Sequence, residues 1–225
     1  MIPLKDDSPS ALKPYVTMTL IAACACVFLW QRTLDPVSSR NAVAALGAVP
    51  AVLLTDARLP ADLAWVPRFA SPFTSMFLHG GWMHLGGNML YLWIFGDNLE
   101  KVMGHARFLL FYLACGIAAG LAHILVSSGS SVPTVGASGA ISGVLGGYLV
   151  MFPRNHVRVL TRGGIVALPA IAVLGFWIVI QLINGLGSLG VRTESGGVAY
   201  MAHVGGFVAG VVLVKLLAAR RPAIA

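Results

Sequence analysis

The chain is 225 residues long, 57% hydrophobic and only 10% charged, a balance that excludes an ordinary soluble domain and points to an integral membrane protein. Its formal charge of +7 would raise nucleic acid as a partner in a soluble protein. Here the basic residues are scattered over the ends of apolar runs and form no patch, so composition argues for a lipid bilayer as the surroundings and against nucleic acid.

A hydrocarbon core about 30 Å thick needs roughly 20 apolar residues per helix. Six runs of suitable length can be read, near residues 14–31, 81–96, 106–127, 138–152, 164–186 and 199–219. They predict an all-α fold, a polytopic six-transmembrane-helix bundle forming a single domain over residues 1–225. Asp6 and Asp7 precede the first run and no clear small-residue cleavage site follows it, so that run is expected to be a retained span and not a signal peptide. The long connection of residues 32–79 contains "AVAALGAVPAVLL", too short and too interrupted by proline to cross. A re-entrant or interfacial element is expected there. Trp65 and Trp82 fall close to span ends, where an indole suits the headgroup level. The fourth and sixth runs repeat glycine every four residues, as Gly139, Gly143 and Gly147 and as Gly206 and Gly210. That spacing places the glycines on one face of each helix and lets two backbones approach closely.

With the N-terminus inside, the inner segments hold Lys5, Lys13, Lys101, Arg107, Arg154, Arg158, Arg162, Lys215, Arg220 and Arg221. Arg32, Arg40, Arg58, Arg68 and Arg192 lie outside, four of them in one long loop where the rule is weak. This bias places both termini in the cytoplasm. Cys24, Cys26 and Cys115 all fall inside apolar runs and read as small buried hydrophobes, with neither a disulfide framework nor a zinc motif.

Polar residues inside spans are costly and ask for an explanation. Four stand out: His84 and Asn88 in the second run, Ser138 at the start of the fourth, and His203 early in the sixth. Under the charge-based topology, these three runs all begin on the outer face. Each candidate lies within about 10 Å of that beginning at 1.5 Å per residue, so all four share one depth. A serine hydroxyl is a poor nucleophile without a base, and an imidazole is the natural one near neutral pH. Gly206 follows His203 by three residues and Gly139 adjoins Ser138, so close packing of the two glycine faces would bring hydroxyl and imidazole together. Gly136 and Gly139 frame the serine and leave room for a substrate backbone. His84 and Asn88, spaced i, i+4, share a face and could donate to a developing oxyanion together with the Ser138 backbone N–H. Asp97 and Glu100 fall well over about 10 Å below Asn88 by helical rise, which favours a Ser/His dyad over a triad.

At these residues the sequence resembles the rhomboid family of intramembrane serine proteases. The resemblance is carried by "HGGWMHLGGN" (His79 to Asn88), "GASG" (Gly136 to Gly139) and "AHVGGFVAG" (Ala202 to Gly210), the last fitting the family's A-H-x-x-G-x-x-x-G pattern. "GDNLEKVMG" is similar to the family's G-x-x-x-E-x-x-x-G segment and implies that Glu100 is a structural anchor. The resemblance implies Ser138 as nucleophile, His203 as general base and His84 with Asn88 as oxyanion donors. It also implies cleavage of transmembrane protein substrates near the outer membrane face, with no cofactor. His79 is expected to support the site from a loop, and Gly206 and Gly210 to support it by packing. Ser142 occupies the position where many members carry an aromatic ring beneath the histidine, so the family pattern supplies no partner for the imidazole here.

Two other readings compete. An inactive member of the same fold would bind membrane helices without cutting them, which the joint presence of Ser138 and His203 opposes. A haem or metal protein would use His84 and His203 as ligands from facing spans, which leaves Ser138, Asn88 and the glycine frame unexplained. The compact plan with short termini suggests a prokaryotic inner membrane.

Overall fold

The computed structural model describes residues 2–7, 13–187 and 198–218. Arg192, Glu194, Arg220, Arg221 and the last residue of the sixth predicted run lie outside the described residues. A strand β1 (Ile2–Asp6) precedes helix α1 (Tyr15–Thr33). The long connection folds into α2 (Pro36–Leu46), α3 (Pro50–Leu54) and α4 (Ser71–Thr74) with short 3-10 turns. Next come α5 (Trp82–Tyr91), a π-helical segment (Leu92–Gly96), α6 (Asp97–Met103), α7 (His105–Val126) and α8 (Ser138–Met151). A hairpin of β2 (His156–Thr161) and β3 (Gly164–Pro169) leads into α9 (Ala170–Gly187) and then α10 (Tyr200–Leu217).

Four of these helices, α1, α7, α9 and α10, are long and apolar enough to cross a membrane. The second predicted run is realised differently, as α5, the π segment and α6 in continuous succession. The fourth run becomes α8, only 14 residues, or about 21 Å. All ten residues from Gly139 to Tyr148 are buried, so α8 is the central post of the bundle. Its composition explains this position, because small residues on several faces let neighbouring helices close in around it. A Cβ on Gly206 would run into the carbonyl of Gly139, and one on Gly210 into the carbonyl of Gly143. The α8–α10 seam is therefore backbone against backbone, as the glycine spacing predicted.

The predicted interfacial stretch of residues 42–54 is helical, divided between α2 and α3 by a turn that opens at Gly47 and runs to Pro50. Asp35 caps α2, accepting from the N–H groups of Val37 and Ser38. At the far end of the bundle Glu100, fully buried, caps α1 from outside. Its carboxylate accepts from the N–H groups of Val16 and Thr17 at 2.8 Å and from Thr17 Oγ1 at 2.7 Å. These are the orphan donors of a helix N-terminus, where a carboxylate also meets the favourable end of the helix dipole. His105 reaches the same carboxylate at 2.5 Å.

Three expectations need correction. The fold is mostly helical but not all-α, because β1, β2 and β3 form an antiparallel sheet in that order. In β2, Val157 and Val159 point inward while His156, Arg158 and Leu160 point out, the period-two alternation of a half-buried strand. The fifth helix consequently starts at Ala170 and not near 164, since residues 164–169 pair with β2. Cys24 and Cys115 are buried as expected, but Cys26 faces outward.

Candidate active site

Chain geometry just before α8 sets the site. Gly136 has φ = +121°, a backbone region that L side chains rarely adopt. Its N–H donates to the Ser75 carbonyl at 2.9 Å, and a Cβ there would lie 2.7 Å from His84 Nε2. Two residues on, Ser138 opens α8, so its backbone N–H belongs to the first turn and has no intrahelical acceptor. Ser142, one turn later, donates its hydroxyl to the Ser138 carbonyl at 2.7 Å.

The seam between α8 and α10 delivers the partner. Ser138 Oγ lies 2.9 Å from His203 Nε2. On the other side of the ring, His203 Nδ1 lies 2.7 Å from Gln181 Oε1 of α9. An amide oxygen only accepts, so Nδ1 carries the proton and Nε2 presents its lone pair to the serine hydroxyl. The imidazole is buried, with the Trp177 ring at 5.8 Å and 35° and the Tyr200 ring edge-on at 6.4 Å.

His84 and Asn88 approach the same place from α5. His84 Nδ1 accepts from the Gly80 N–H at 3.4 Å, which leaves its Nε2–H pointing into the space kept open by Gly136. Asn88 is buried one turn further on, its Nδ2 3.7 Å from where a Gly136 Cβ would stand. That amide nitrogen has no hydrogen-bond partner among the described residues. Buried donors are rarely left unpaired, so Nδ2 is an N–H group held ready for an acceptor. His79 braces the arrangement from the preceding loop. Its N–H donates to Gln31 Oε1 of α1 at 3.0 Å, its Nδ1 donates to the Phe77 carbonyl at 3.2 Å, and its ring meets His84 edge-on at 5.2 Å. Burial, and after it the neighbouring His84, pushes the His79 imidazole down to about 4, so it is neutral at physiological pH.

The structure thus gathers Ser138, His203, His84, Asn88 and Gly136 around one space, with His79 behind them. Glu100 lies at the opposite end of the helical rod. Gly206 and Gly210 sit in the seam. The side of Gly139 that lacks a Cβ is filled by Ala119 and Ala202, so Gly139 belongs to the packing and not to the open space. Both ring nitrogens of His203 are engaged within the protein, which opposes its reading as a metal ligand. No trio of His, Cys, Asp or Glu is placed to hold a metal among the described residues. The sequence reading passed over Gln181, Trp177 and Gln31. Two of them carried a usable signal, since Gln31 and Gln181 are polar residues in apolar runs and meet the same criterion that singled out His84 and Asn88.

A family profile described as Rhomboid domain matches residues 67–220, more than half of the chain. Similar proteins include the Rhomboid protease GluP of Bacillus subtilis, 39% identical over 118 residues, covering 52% of this chain and 23% of that protein. Rhomboid protein 1, mitochondrial, of Saccharomyces cerevisiae is 33% identical over 142 residues, 61% of this chain and 39% of its own length. The Putative rhomboid protease YdcA of B. subtilis is 32% identical over 141 residues, 62% of this chain and 63% of its own length. The matched region thus spans less than two thirds of each relative. Together with the apolar helices, the profile match establishes that this chain is an integral membrane protein of the rhomboid family.

Proposed function

We propose that the chain is an intramembrane serine endopeptidase working through a Ser138/His203 dyad. The single observation that carries this reading is the 2.9 Å contact between Ser138 Oγ and His203 Nε2 beside Asn88 Nδ2, which has no partner among the described residues. Ser138 Oγ attacks the scissile carbonyl carbon while His203 Nε2 takes its proton, relieving the low nucleophilicity of the free hydroxyl. The carbonyl oxygen, now an anion, accepts from His84 Nε2–H, Asn88 Nδ2–H and the Ser138 N–H, in a space where little water screens them. The proton on Nε2 passes to the leaving amine, the C–N bond breaks, and an ester to Ser138 remains. Water then attacks that ester, with His203 again taking and returning a proton. Gly136 leaves room for the substrate backbone beside His84.

The substrates are transmembrane segments of membrane-anchored proteins, cut near the outer membrane face. Residues 1–225 act as a single domain with six crossings, adding α5–α6 and α8 to the four long helices, and both termini lie in the cytoplasm of a prokaryotic inner membrane. An inactive helix-binding rhomboid would share the fold without needing a base in contact with a hydroxyl. The test is to treat purified protein with a fluorophosphonate probe and to incubate it with a panel of membrane-anchored substrates, mapping the cut by mass spectrometry. Labelling at Ser138 and cleavage within an apolar segment are expected, and both are lost in Ser138→Ala. A folded wild-type protein that neither labels nor cleaves contradicts the assignment.

A further inference from the structure

The imidazole of His203 has partners on α9 that the serine–histidine pair alone does not require. Gln181 Oε1 sits 2.7 Å from Nδ1, and Trp177, one turn earlier on the same face, lies against the ring at 5.8 Å. Both belong to a helix whose other side chains mostly face outward, among them Ile171, Phe176, Val179, Ile183 and Leu186. Gln181 is buried although it lies in an otherwise apolar stretch. An amide in such a setting is costly without a partner, and its partner here is the histidine.

We infer that Gln181 is a positioning residue that fixes the tautomer of His203, with Trp177 holding the plane of the ring. The inference rests on the dyad reading above and deepens it. With Oε1 facing Nδ1, the ring proton is held on Nδ1 and Nε2 is free to accept from Ser138. Were the amide nitrogen to face Nδ1, the proton would sit on Nε2 and the histidine could not act as a base. The side chain of α9 therefore selects between a competent and an incompetent imidazole. Trp177 takes the place of the ring that Ser142 does not supply, from a different helix. The histidine is competent only when α9 lies against α10, as it does through Gly185 and Met201.

Gln181→Glu and Gln181→Leu separate this role from simple packing. The other titratable side chains facing His203 among the described residues are Tyr200 on α10 itself, His84 of α5 and His123 of α7, and all three stay unchanged in these variants. Gln181→Leu is expected to keep the folded bundle and its KM while lowering kcat at neutral pH by at least about 10-fold. It is also expected to slow fluorophosphonate labelling of Ser138 in parallel. Gln181→Glu restores an acceptor that cannot be reversed, so activity returns. Its carboxylate also favours the protonated imidazole, moving the acid limb of the kcat/KM profile upward by about 1 to 3 pH units. A Gln181→Leu protein that labels and cleaves at the wild-type rate, or a Gln181→Glu profile superimposable on the wild type, overturns the positioning role and leaves the dyad standing. A wild-type protein without labelling or cleavage overturns both.

Discussion

The two helices that hold His203 in place do so by opposite means. α10 joins α8 through glycines at which no side chain fits, so carbonyls of one helix pack on the α-carbons of the other. α9 turns most of its apolar side chains outward and touches the site through an amide and an indole. The seam fixes how far apart the hydroxyl and the imidazole stand. The looser helix fixes how the imidazole is turned. Distance and orientation are thus controlled by separate elements, so substitutions should be able to disturb one without the other.

The largest effect on chemistry is expected at the pair itself. His203→Ala should lower turnover by on the order of 10⁴-fold or more while leaving a folded protein, because the hydroxyl loses its base; substrate cleavage and thermal unfolding measured on the same preparation check this. Asn88→Ala comes next, at roughly 10²-fold to 10³-fold in kcat, the cost of one oxyanion donor. Single-turnover kinetics with unchanged substrate affinity would support that donor role, and an unchanged rate would remove Asn88 from it. On the stability side, Glu100→Ala should cost about 3 to 5 kcal/mol, because the α1 donors and His105 lose a buried acceptor. Equilibrium unfolding in detergent reads this, and activity at low temperature should survive.

Gly210→Ala probes the seam directly. A methyl group where only a carbonyl fits should destabilise by about 1 to 3 kcal/mol, visible as a lowered Tm with activity falling in step as the helices separate. Smallest of all is Ile183→Ala on the outward face of α9, expected within about 0.5 kcal/mol of wild type and with unchanged kcat. A large loss of activity there would show that α9 is held by more than its inner face.

Much of this was legible in the sequence, for a physical reason. A polar side chain in hydrocarbon persists only when it has a partner or a task, so His84, Asn88, Ser138 and His203 stood out against their surroundings. Glycine spacing told which helices approach, and the seam formed where Gly139, Gly143, Gly206 and Gly210 placed it. Gln181 obeyed the same logic but had no spacing relation to the other site residues, since its contact with His203 depends on how α9 is set against α10. The sheet was hidden for a different reason. Ile165 to Leu168 are apolar and contiguous with the run that follows, so hydropathy merges strand with helix. The pairing of Ile2 with Leu160 joins segments that share no local pattern.

That pairing also bears on how the molecule is made. β1 leaves the ribosome before β2, its hydrogen-bonding partner, which is synthesised more than 150 residues later. Asp6, which accepts from Asn98 and Tyr148, must likewise wait for α6 and α8. Closing so long a loop is slow, so β1 is among the last pieces to lock. Its protection from amide hydrogen exchange would then report completed assembly of the whole bundle.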